Sequence, residues 1–333
     1  MQTPLPVTRQ GENTMLWITD PLSTLDQSKD TTLRLMQEAI NMGIPTFWSA
    51  SDQVLHASTS GWIQAIELKN SLAALASEKL KLESFPLSMF QQIHFRIDPP
   101  VDENYCKLVD ELLVSGASKR QILNPPDLIK NQSEKIPPAD LGKHTPRMKV
   151  IQSRNDLSEL QKQFDHDSEI VSKPLHLAQS IGVALHQTPK SAADWLTLIE
   201  GLTHNFTQEI LIEEYLPAIH QGEVRLWFAG EKFIAALKKY PKTGDFRVLI
   251  DEGSRVTAHT LTLEEELIAA DIGQSLKRQG ILLAAVDLIG NKICDYNITS
   301  PGLLIQLETV HGNQNFAKEI LVQALQYHAQ QDL

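Results

Sequence analysis

Short apolar segments alternate with helix-patterned segments along this chain, and this alternation restricts the fold most strongly. The segment Met15–Thr19 has the pattern of a buried strand. Asp30 is a plausible helix cap, and apolar residues recur at helical spacing after it, up to Ile40. Residues 44–48 predict a second strand. A strand, a helix and another strand in this order predict a parallel sheet, and therefore an α/β fold.

The same reasoning predicts two further units downstream. In the second unit, the strands are predicted at residues 149–152, 169–173 and 209–213, and the helices at 157–164 and 192–202. In the third unit, the strands at 224–229 and 232–237 precede a helix that begins at a capping box of Thr262 and Glu265 and ends near Gly280. A hairpin of residues 281–288 and 292–298 and a final helix at 315–330 follow. The Leu- and Ala-rich stretch 68–80 is also predicted to be helical.

Length and composition limit the class of protein. The chain has 333 residues, more than one hydrophobic core usually covers, and the Pro-rich stretch 124–146 is the best candidate for a domain boundary. A formal net charge of −11 argues against general nucleic-acid binding, because neutralising phosphates requires clustered Lys and Arg. The longest apolar run, residues 281–286, is far below the ~20 residues that span a bilayer.

Two further features concern the compartment. Residues 1–13 lack the apolar stretch of a signal peptide and are expected to form a short disordered lead-in. The two cysteines, Cys106 and Cys294, lie far apart and lack metal-type spacing, which favours a reducing compartment. We therefore expect a cytoplasmic protein with neither nucleic-acid nor membrane partners.

Three polar residues make the C-terminal hairpin a candidate metal site. Asp287 ends an apolar strand, and Asp295 and Asn297 lie two residues apart on its partner, so these two share one face. Their oxygen atoms suit Mg²⁺. A plain two-residue turn at Gly290-Asn291 would put Asp287 opposite Cys294 and on the wrong face, so the hypothesis requires an odd-length loop or a bulge. The alternative is a half-exposed hairpin whose polar residues simply alternate outward.

Several short motifs follow one another in a fixed order along the chain. They are Asp20-Pro21, Arg96-x-Asp98-Pro99-Pro100, Asn124-x-Pro126, Tyr215-Leu216-Pro217, Gly222-Glu223-Val224-Arg225, Asp287-Leu288-Ile289-Gly290 and Asp295-Tyr296-Asn297-Ile298-Thr299-Ser300-Pro301. Together they resemble bacterial glutathione synthetase, an ATP-grasp ligase whose usual forms include Y-L-P, G-D-x-R, D-x-x-G and E-x-N-V-T-S-P. The resemblance extends over residues 15–325, nearly the whole chain.

The resemblance implies an ATP-grasp fold of the α/β (α+β) class with an N-terminal parallel-sheet domain. It implies an N-terminal domain at residues 15–130, a central or lid subdomain at 131–214 and a C-terminal subdomain with the metal site at 215–330. It also implies a homo-oligomer that binds ATP, Mg²⁺ and a small amino-acid or peptide substrate.

The resemblance further implies roles for individual residues. Lys135 and Lys173 match lysines that hold the ATP phosphates. The family's strand that contacts the adenine matches Glu213, Glu214, Tyr215 and Leu216. The family's acidic residue that binds the ribose hydroxyls matches Glu223. Arg225 matches an arginine near the γ-phosphate, and Arg247 matches the arginine of a second family loop, so the resemblance makes both of them candidate catalytic residues. The metal ligands match Asp287, Asp295 and Asn297. Solvated lysines and an exposed Glu223–Arg225 pair stay open as alternatives.

The chain departs from the family pattern in two loops and in one substrate segment. The family's glycine-rich D-G-M-G-G is here His176-Leu177-Ala178-Gln179-Ser180, and its R-G-N-x-x-x-G-G is here Arg247-Val248-Leu249-Ile250-Asp251-Glu252-Gly253-Ser254. After Pro301, the apolar Gly302-Leu303-Leu304-Ile305-Gln306 replaces small residues and an arginine. Two hypotheses therefore stay open. One is an ATP- and Mg²⁺-dependent carboxylate–amine ligase with an acyl-phosphate intermediate and an altered substrate. The other is a catalytically impaired relative with a nucleotide-binding or structural role.

Overall fold

A computed structural model describes residues 13–56, 61–72, 75, 81–250 and 253–331. The first of its three sheets has the order β4-β3-β2-β1-β5-β6. The strands are β1 (Met15–Thr19), β2 (Thr46–Ala50), β3 (Trp62–Leu68), β4 (Glu83–Pro86), β5 (Gln92–Arg96) and β6 (Ile122–Leu123). The helices of this region are α1 (Thr31–Asn41), α2 (Ser51–His56), α3 (Glu103–Val114) and α4 (Pro126–Asn131). The strands β2, β1, β5 and β6 are parallel, which confirms the predicted parallel sheet.

A local sequence signal, the capping residue Asp30, sets the start of α1. The helix predicted over residues 68–80 is wrong at its first residue, Leu68. The Asp30 carboxylate accepts a hydrogen bond from the Leu33 N–H at 2.8 Å, as expected of a helix cap. Leu68 is the last residue of β3 and pairs with Thr46 of the antiparallel strand β2. It is part of a strand because the edge of β2 provides backbone pairing for it. Residues 73–74 and 76–80 of the predicted helix lie outside the described residues, as do residues 1–12 of the predicted lead-in.

The second sheet is antiparallel, with the order β7-β10-β8-β9. Its elements are β7 (Met148–Ile151), α5 (Leu157–Phe164), β8 (Glu169–Pro174), β9 (Ala184–Gln187), α6 (Ala192–Leu202) and β10 (Ile210–Glu214). The predicted bounds of α5 and α6 are confirmed, whereas β9 was not predicted. Both helices cover one face of the sheet with a core that includes Phe164 and Trp195. The other face is left for the cleft described below.

The third sheet is also antiparallel, with the order β13-β12-β11-β14-β15. Its elements are β11 (Glu223–Ala229), β12 (Lys232–Tyr240), β13 (Arg255–His259), α7 (Leu263–Gln279), β14 (Leu283–Ile289), β15 (Lys292–Asn297), α8 (Leu304–Val310) and α9 (Phe316–Gln331). The predicted capping box of Thr262 and Glu265 opens α7, and Gly280 closes it in the left-handed conformation. Among the described helices, none is a candidate for crossing a bilayer.

The first and third sheets share their cores, whereas the second has a core of its own. One cluster joins Ile18 and Phe95 of the first sheet to Leu226 and Val286 of the third. At the centre of this contact lies the buried amide of Asn124. Its Nδ2 donates to the carbonyl oxygens of Leu283 and Ile298, both at 2.7 Å. This amide holds the hairpin of β14 and β15 against the N-terminal sheet.

Candidate active site

Charged side chains from the second and third sheets converge on one cleft of about 600 Å³. Lys173 of β8 and Glu213 of β10 line it on one side, and Glu223 of β11 and Asp295 of β15 on the other. The predicted site residues that line this cleft are Lys135, Lys173, Glu213, Glu214, Tyr215, Leu216, Glu223, Arg247 and Asp295. Arg225, Asp287 and Asn297 lie next to the cleft. Arg225 and Asn297 both hydrogen-bond to the carboxylate of Asp287, which lies close to those of Glu223 and Asp295. The structure therefore brings the predicted residues into one region of the molecule, while their individual roles stay predictions.

A β-bulge sets the geometry of the hairpin. Gly290 and Asn291 form a two-residue turn with positive φ angles of 54° and 65°. The register of the ladder shifts beside Asp287, which pairs with Asp295 rather than with Cys294. Cys294 is therefore the extra residue of a bulge, and the two aspartates face each other on one side of the sheet. The predicted bulge is confirmed.

Three carboxylates meet at this bulge. One oxygen atom each of Glu223, Asp287 and Asp295 lies within 4.8 Å of the others. Asn297 is close by, with its Nδ2 atom 3.0 Å from the Ala285 carbonyl oxygen and 3.4 Å from Asp287 Oδ2. This set of oxygen donors fits Mg²⁺. It includes Glu223, for which the family resemblance implies a ribose contact. Asp287 is only 1% exposed, so the interpretation of an outward-facing polar strand is wrong for this residue.

Each carboxylate of the site is paired with a cation. The distances are 3.0 Å for Lys135–Asp295, 2.5 Å for Lys173–Glu213, 2.9 Å for Lys239–Glu223 and 2.6 Å for Arg225–Asp287. The Arg225 guanidinium is bidentate, because its Nε also donates to Asp287 at 2.8 Å. Lys135 and Lys173 are buried, so the alternative of solvated lysines is wrong, and Glu223 is buried as well.

Burial and these cations act against each other on the pKa values. Burial alone would raise the pKa of Asp287, but Arg225 and Lys239 outweigh it and hold that pKa below its ordinary value. Burial raises the pKa of Glu223, because Lys239 compensates only in part and the charge of Asp287 adds repulsion. Asp287 is thus held as an anion, whereas burial and the neighbouring carboxylates disfavour the ionised form of Glu223.

Lys239 is a residue of the site that the sequence did not identify. It lies opposite Glu223 in the ladder of β11 and β12 and also contacts Asp287 at 3.2 Å. In the sequence it is one of two adjacent lysines in a strand, a pattern typical of a solvated edge. Only the register of β12 against β11 distinguishes Lys239 from Lys238. Lys239 can therefore be identified as a residue of the site only once this strand pairing is known.

Residues 133–135 form a strap across the end of the hairpin, and Glu134 fastens it. The Glu134 carboxylate accepts hydrogen bonds from the N–H groups of Ile298 and Thr299, both at 2.7 Å. Its backbone oxygen accepts a further one from the Tyr296 N–H at 2.7 Å. These bonds hold Lys135 against Asp295. The sequence contains no signal for this docking, because it depends on a loop meeting a strand about 160 residues away.

The far end of the cleft is formed by Tyr215, Leu216 and a facing loop. Phe246 and Arg247 of that loop line the cleft, and the rings of Phe246 and Tyr215 lie edge to face at 6.3 Å. Arg247 pairs with Asp245 at 3.0 Å. The loop therefore approaches the segment predicted to meet adenine. Asp251 and Glu252, the middle of this altered loop, lie outside the described residues.

In the loop after β8, two residues that are not glycine adopt a backbone conformation that glycine favours. Gln179 and Ser180 align with the last two glycines of the family's D-G-M-G-G, and their φ angles are 55° and 59°. A side chain in this left-handed region costs about 1–2 kcal/mol per residue. Gly182 also has a positive φ of 74°, and a Cβ atom there would lie 2.7 Å from Pro174. The loop thus has the backbone shape that glycines favour, while two side chains project from it.

Comparison with solved structures identifies the fold. D-cycloserine synthetase DcsG matches with a TM-score of 0.65 at 17% identity, over 94% of this chain and 100% of that one. The ATP-grasp ligase PsnB in complex with a minimal precursor matches with a TM-score of 0.60 at 13% identity, over 94% and 99%. The chain has an ATP-grasp fold, and the predicted fold class is confirmed.

Family models then identify the family. The N-terminal domain of prokaryotic glutathione synthetase matches residues 14–130, and its ATP-grasp domain matches residues 134–312. The chain belongs to the prokaryotic glutathione synthetase family, which places it among ATP-dependent carboxylate–amine ligases. The glutathione synthetase of Ralstonia nicotianae is 28% identical over 297 residues, which are 86% of this chain and 88% of that protein.

Proposed function

We propose that the protein is an ATP- and Mg²⁺-dependent ligase that joins a carboxylate to an amine through an acyl phosphate. The observation that carries this proposal is the cluster of Glu223, Asp287 and Asp295, surrounded by cations beside the cleft. Burying such a cluster is destabilising, because the free-energy cost of desolvating paired charges often exceeds the free energy of their attraction. A ligand that uses these charges accounts for it.

In this proposal the cations exchange partners when ATP binds. Lys135 and Lys173 turn from Asp295 and Glu213 to phosphate oxygens, and the segment of Tyr215 and Leu216 meets the adenine. Glu213, which then loses its lysine, stays beside the adenine strand. Asp287, Asp295 and Asn297 would hold a Mg²⁺ ion, which would supply positive charge against the phosphates. The pairing of these side chains with one another keeps each group oriented before the ligand arrives.

The proposed chemistry needs no nucleophilic side chain. The γ-phosphoryl group passes to a carboxylate oxygen of the first substrate, and ADP leaves. The amine of the second substrate then attacks the acyl carbon, inorganic phosphate leaves, and an amide forms. Arg225 stabilises the charge on the transferred group, for which its bidentate contact with Asp287 orients it.

We propose further that the substrate differs from that of glutathione synthesis. The segment after Pro301 supplies Leu303, Leu304 and Ile305, where the family has small residues and an arginine. Leu304 is fully buried, which leaves Leu303 and Ile305, both partly exposed, to meet a ligand. Two apolar side chains favour a less polar substrate group at this position.

A second candidate is a relative that binds nucleotide without ligation. Gln179 and Ser180 support it, because their side chains occupy a loop whose backbone has to approach the phosphates closely. The two candidates differ in turnover, while both require nucleotide binding.

Thermal melting with nucleotide tests both candidates first. ATP or ADP with Mg²⁺ should raise the melting temperature, by an amount equivalent to about 2.7 kcal/mol at a hundredfold excess over Kd. Asp295→Asn should remove the Mg²⁺-dependent part of this rise. Asp271→Asn, which changes an acid paired with Lys143 outside the cleft, should leave it intact. No shift at millimolar nucleotide would end both candidates.

Phosphate release then separates the two candidates. A ligase releases inorganic phosphate from ATP when its substrates are present, so release is screened over amino acids and small peptides. Binding without release over the whole screen would support the impaired relative.

A further inference from the structure

Glu223 is the first residue of β11 and stands where the family motif G-D-x-R has an aspartate. Its side chain is longer than that aspartate by one methylene group. The resemblance implies that a carboxylate at this position binds the ribose hydroxyls of ATP. In the structure the longer side chain has other neighbours, and these lie at the hairpin of β14 and β15.

The Glu223 carboxylate is buried and reaches the bulge of this hairpin. The residue is 7% exposed. Its Oε2 pairs with Lys239 Nζ at 2.9 Å, and its Oε1 accepts a hydrogen bond from Cys294 Sγ at 3.6 Å. Cys294 is the bulged residue directly before Asp295. The carboxylate of Glu223 is therefore held at the bulge that brings Asp287 and Asp295 to the same face.

Lys239 fixes the carboxylate in this orientation. Its Nζ also pairs with Asp287 at 3.2 Å, so one buried ammonium group connects Glu223 to Asp287. Gly222, directly before Glu223, has a φ of 107°, and a Cβ atom there would lie 3.0 Å from the backbone oxygen of Lys239. Glycine at this position therefore allows β11 to begin close against Lys239.

The second oxygen of Glu223 can turn to a ligand. Its donor is the Cys294 thiol, and a thiol is a weak hydrogen-bond donor. One oxygen atom each of Glu223, Asp287 and Asp295 lies within 4.8 Å of the others, a separation that one divalent cation can bridge. A Mg²⁺ ion with one or two carboxylates usually relies on substrate phosphates for further ligands. A third carboxylate reduces this dependence.

We infer that Glu223 is a carboxylate ligand of the divalent cation, together with Asp287 and Asp295, and that it does not bind the ribose. The cation then binds before the nucleotide, because the carboxylates attract it without the help of phosphates. The ribose hydroxyls lose the carboxylate that the resemblance implies for them, so the site accepts nucleotides that lack these hydroxyls. This inference rests on the proposed ATP- and Mg²⁺-dependent function, to which it adds a metal ligand and a nucleotide specificity.

Titration with Mn²⁺ alone tests the first consequence. Mn²⁺ prefers the same oxygen ligands as Mg²⁺, and the electron paramagnetic resonance signal of the free ion measures how much of it is bound. The wild type should bind Mn²⁺ in the absence of nucleotide. Glu223→Gln keeps the size of the side chain and removes its charge. It should weaken Mn²⁺ binding at least about tenfold, since even residues that only orient a metal ligand change metal affinity by about 10–100-fold.

Glu308 provides a matched control, because it is also a buried glutamate that pairs with a cation, but outside the cleft. The residue is 8% exposed, and its carboxylate lies 2.7 Å from Arg34 Nε. Glu308→Gln should lower the melting temperature and leave Mn²⁺ binding within about twofold of the wild type.

ADP and 2′,3′-dideoxy-ADP test the second consequence. In calorimetric titrations with Mg²⁺ present, the wild type should bind the two nucleotides within about twofold of each other. A carboxylate that accepted hydrogen bonds from the ribose would instead make the dideoxy nucleotide bind roughly tenfold to hundredfold more weakly. Glu223→Asp restores the side-chain length of the family motif, so it should weaken Mn²⁺ binding and produce a preference for ADP. This variant also serves if Glu223→Gln does not fold.

Three results would overturn the inference. The first is a wild type that binds no Mn²⁺ without nucleotide, and the second is Mn²⁺ binding that Glu223→Gln leaves unchanged. The third is a wild-type preference of roughly tenfold or more for ADP over 2′,3′-dideoxy-ADP.

The inference and the proposed function fail in different ways. If ATP with Mg²⁺ raises the melting temperature but one of these three results is found, the role of Glu223 is wrong and the ligase proposal stands. If nucleotide gives no shift in melting temperature, the ligase proposal fails and the inference that rests on it fails too.

Discussion

Replacing Lys239 with methionine tests whether the carboxylate cluster depends on protein cations for its charge balance. Lys239 is buried and lies 2.9 Å from Glu223 and 3.2 Å from Asp287. Methionine keeps most of the side-chain volume and removes the charge. Asp287 retains Arg225, but Glu223 loses its ion pair and remains within 4.8 Å of two other carboxylates.

The expected loss is large. Removing one partner of a buried ion pair costs about 3–5 kcal/mol, because the other charge stays buried without compensation. For an unfolding unit of about 150–250 residues, this corresponds to a decrease of roughly 6–20 °C in melting temperature. A bound Mg²⁺ ion restores positive charge at the same place. Millimolar Mg²⁺ should therefore raise the melting temperature of Lys239→Met more than that of the wild type.

Differential scanning fluorimetry with and without Mg²⁺ measures both effects. Lys232→Met on the same strand is the control, because Lys232 forms an exposed pair with Glu319 at 3.3 Å, worth less than about 1 kcal/mol. If Mg²⁺ raised the melting temperatures of Lys239→Met and the wild type equally, the charge-balance argument would be refuted. A loss as small as that of the control would refute it as well.

Further predictions concern the strap, a buried histidine and close packing. Glu134→Gln keeps an acceptor oxygen and should unfold in urea much like the wild type, whereas Glu134→Ala should lose about 1–3 kcal/mol because two buried N–H groups lose their acceptor; equal losses would argue against this role. Burial, with a contribution from the charge of Arg96, lowers the pKa of His94 from 6.5 to about 3. The unfolded chain therefore takes up this proton first, and stability should fall between pH 6.5 and about 3, by about 1.4 kcal/mol per pH unit for this group. His94→Phe should flatten that part of the profile in urea unfolding, and an unchanged slope would contradict the assignment. Gly273→Ala should destabilise α7, because the new Cβ would lie 2.4 Å from the Glu231 carbonyl oxygen. Gly201→Ala meets open space and should stabilise α6 by up to about 1 kcal/mol, and thermal melts giving the reverse order would reject this argument.

The parts of the fold that depend on local chemistry could be predicted from the sequence. The bounds of α5 and α6 follow from their periodicity, and α7 begins and ends at a capping box and a glycine that are visible in the sequence. The strands β9 and β13 could not be predicted, because each is short and is stabilised by the neighbouring strand rather than by its own pattern. The prediction of a helix at Leu68 is wrong for the same reason, because pairing with the edge of β2 makes this residue part of a strand.

The candidate site divides in a similar way. The bulge at Cys294 could be predicted, because Asp287 reaches the face of Asp295 only if the register shifts. Lys239 and Glu134 could not, since one depends on which strand lies beside β11 and the other on where a loop docks. The positive φ angles of Gln179 and Ser180 were also invisible in the sequence, where both residues suggest an ordinary loop.

The internal pairing of the site's charges affects how ionic strength acts on nucleotide binding. Lys135, Lys173 and Lys239 already have their counter-ions inside the protein, so few dissolved anions accompany them. When ATP arrives, it replaces carboxylates as the partner of these lysines and displaces few ions into the solvent. Buried pairs are also screened much less than exposed ones. The affinity for ATP should therefore depend only weakly on salt concentration, in contrast to a surface that attracts nucleotides with free lysines.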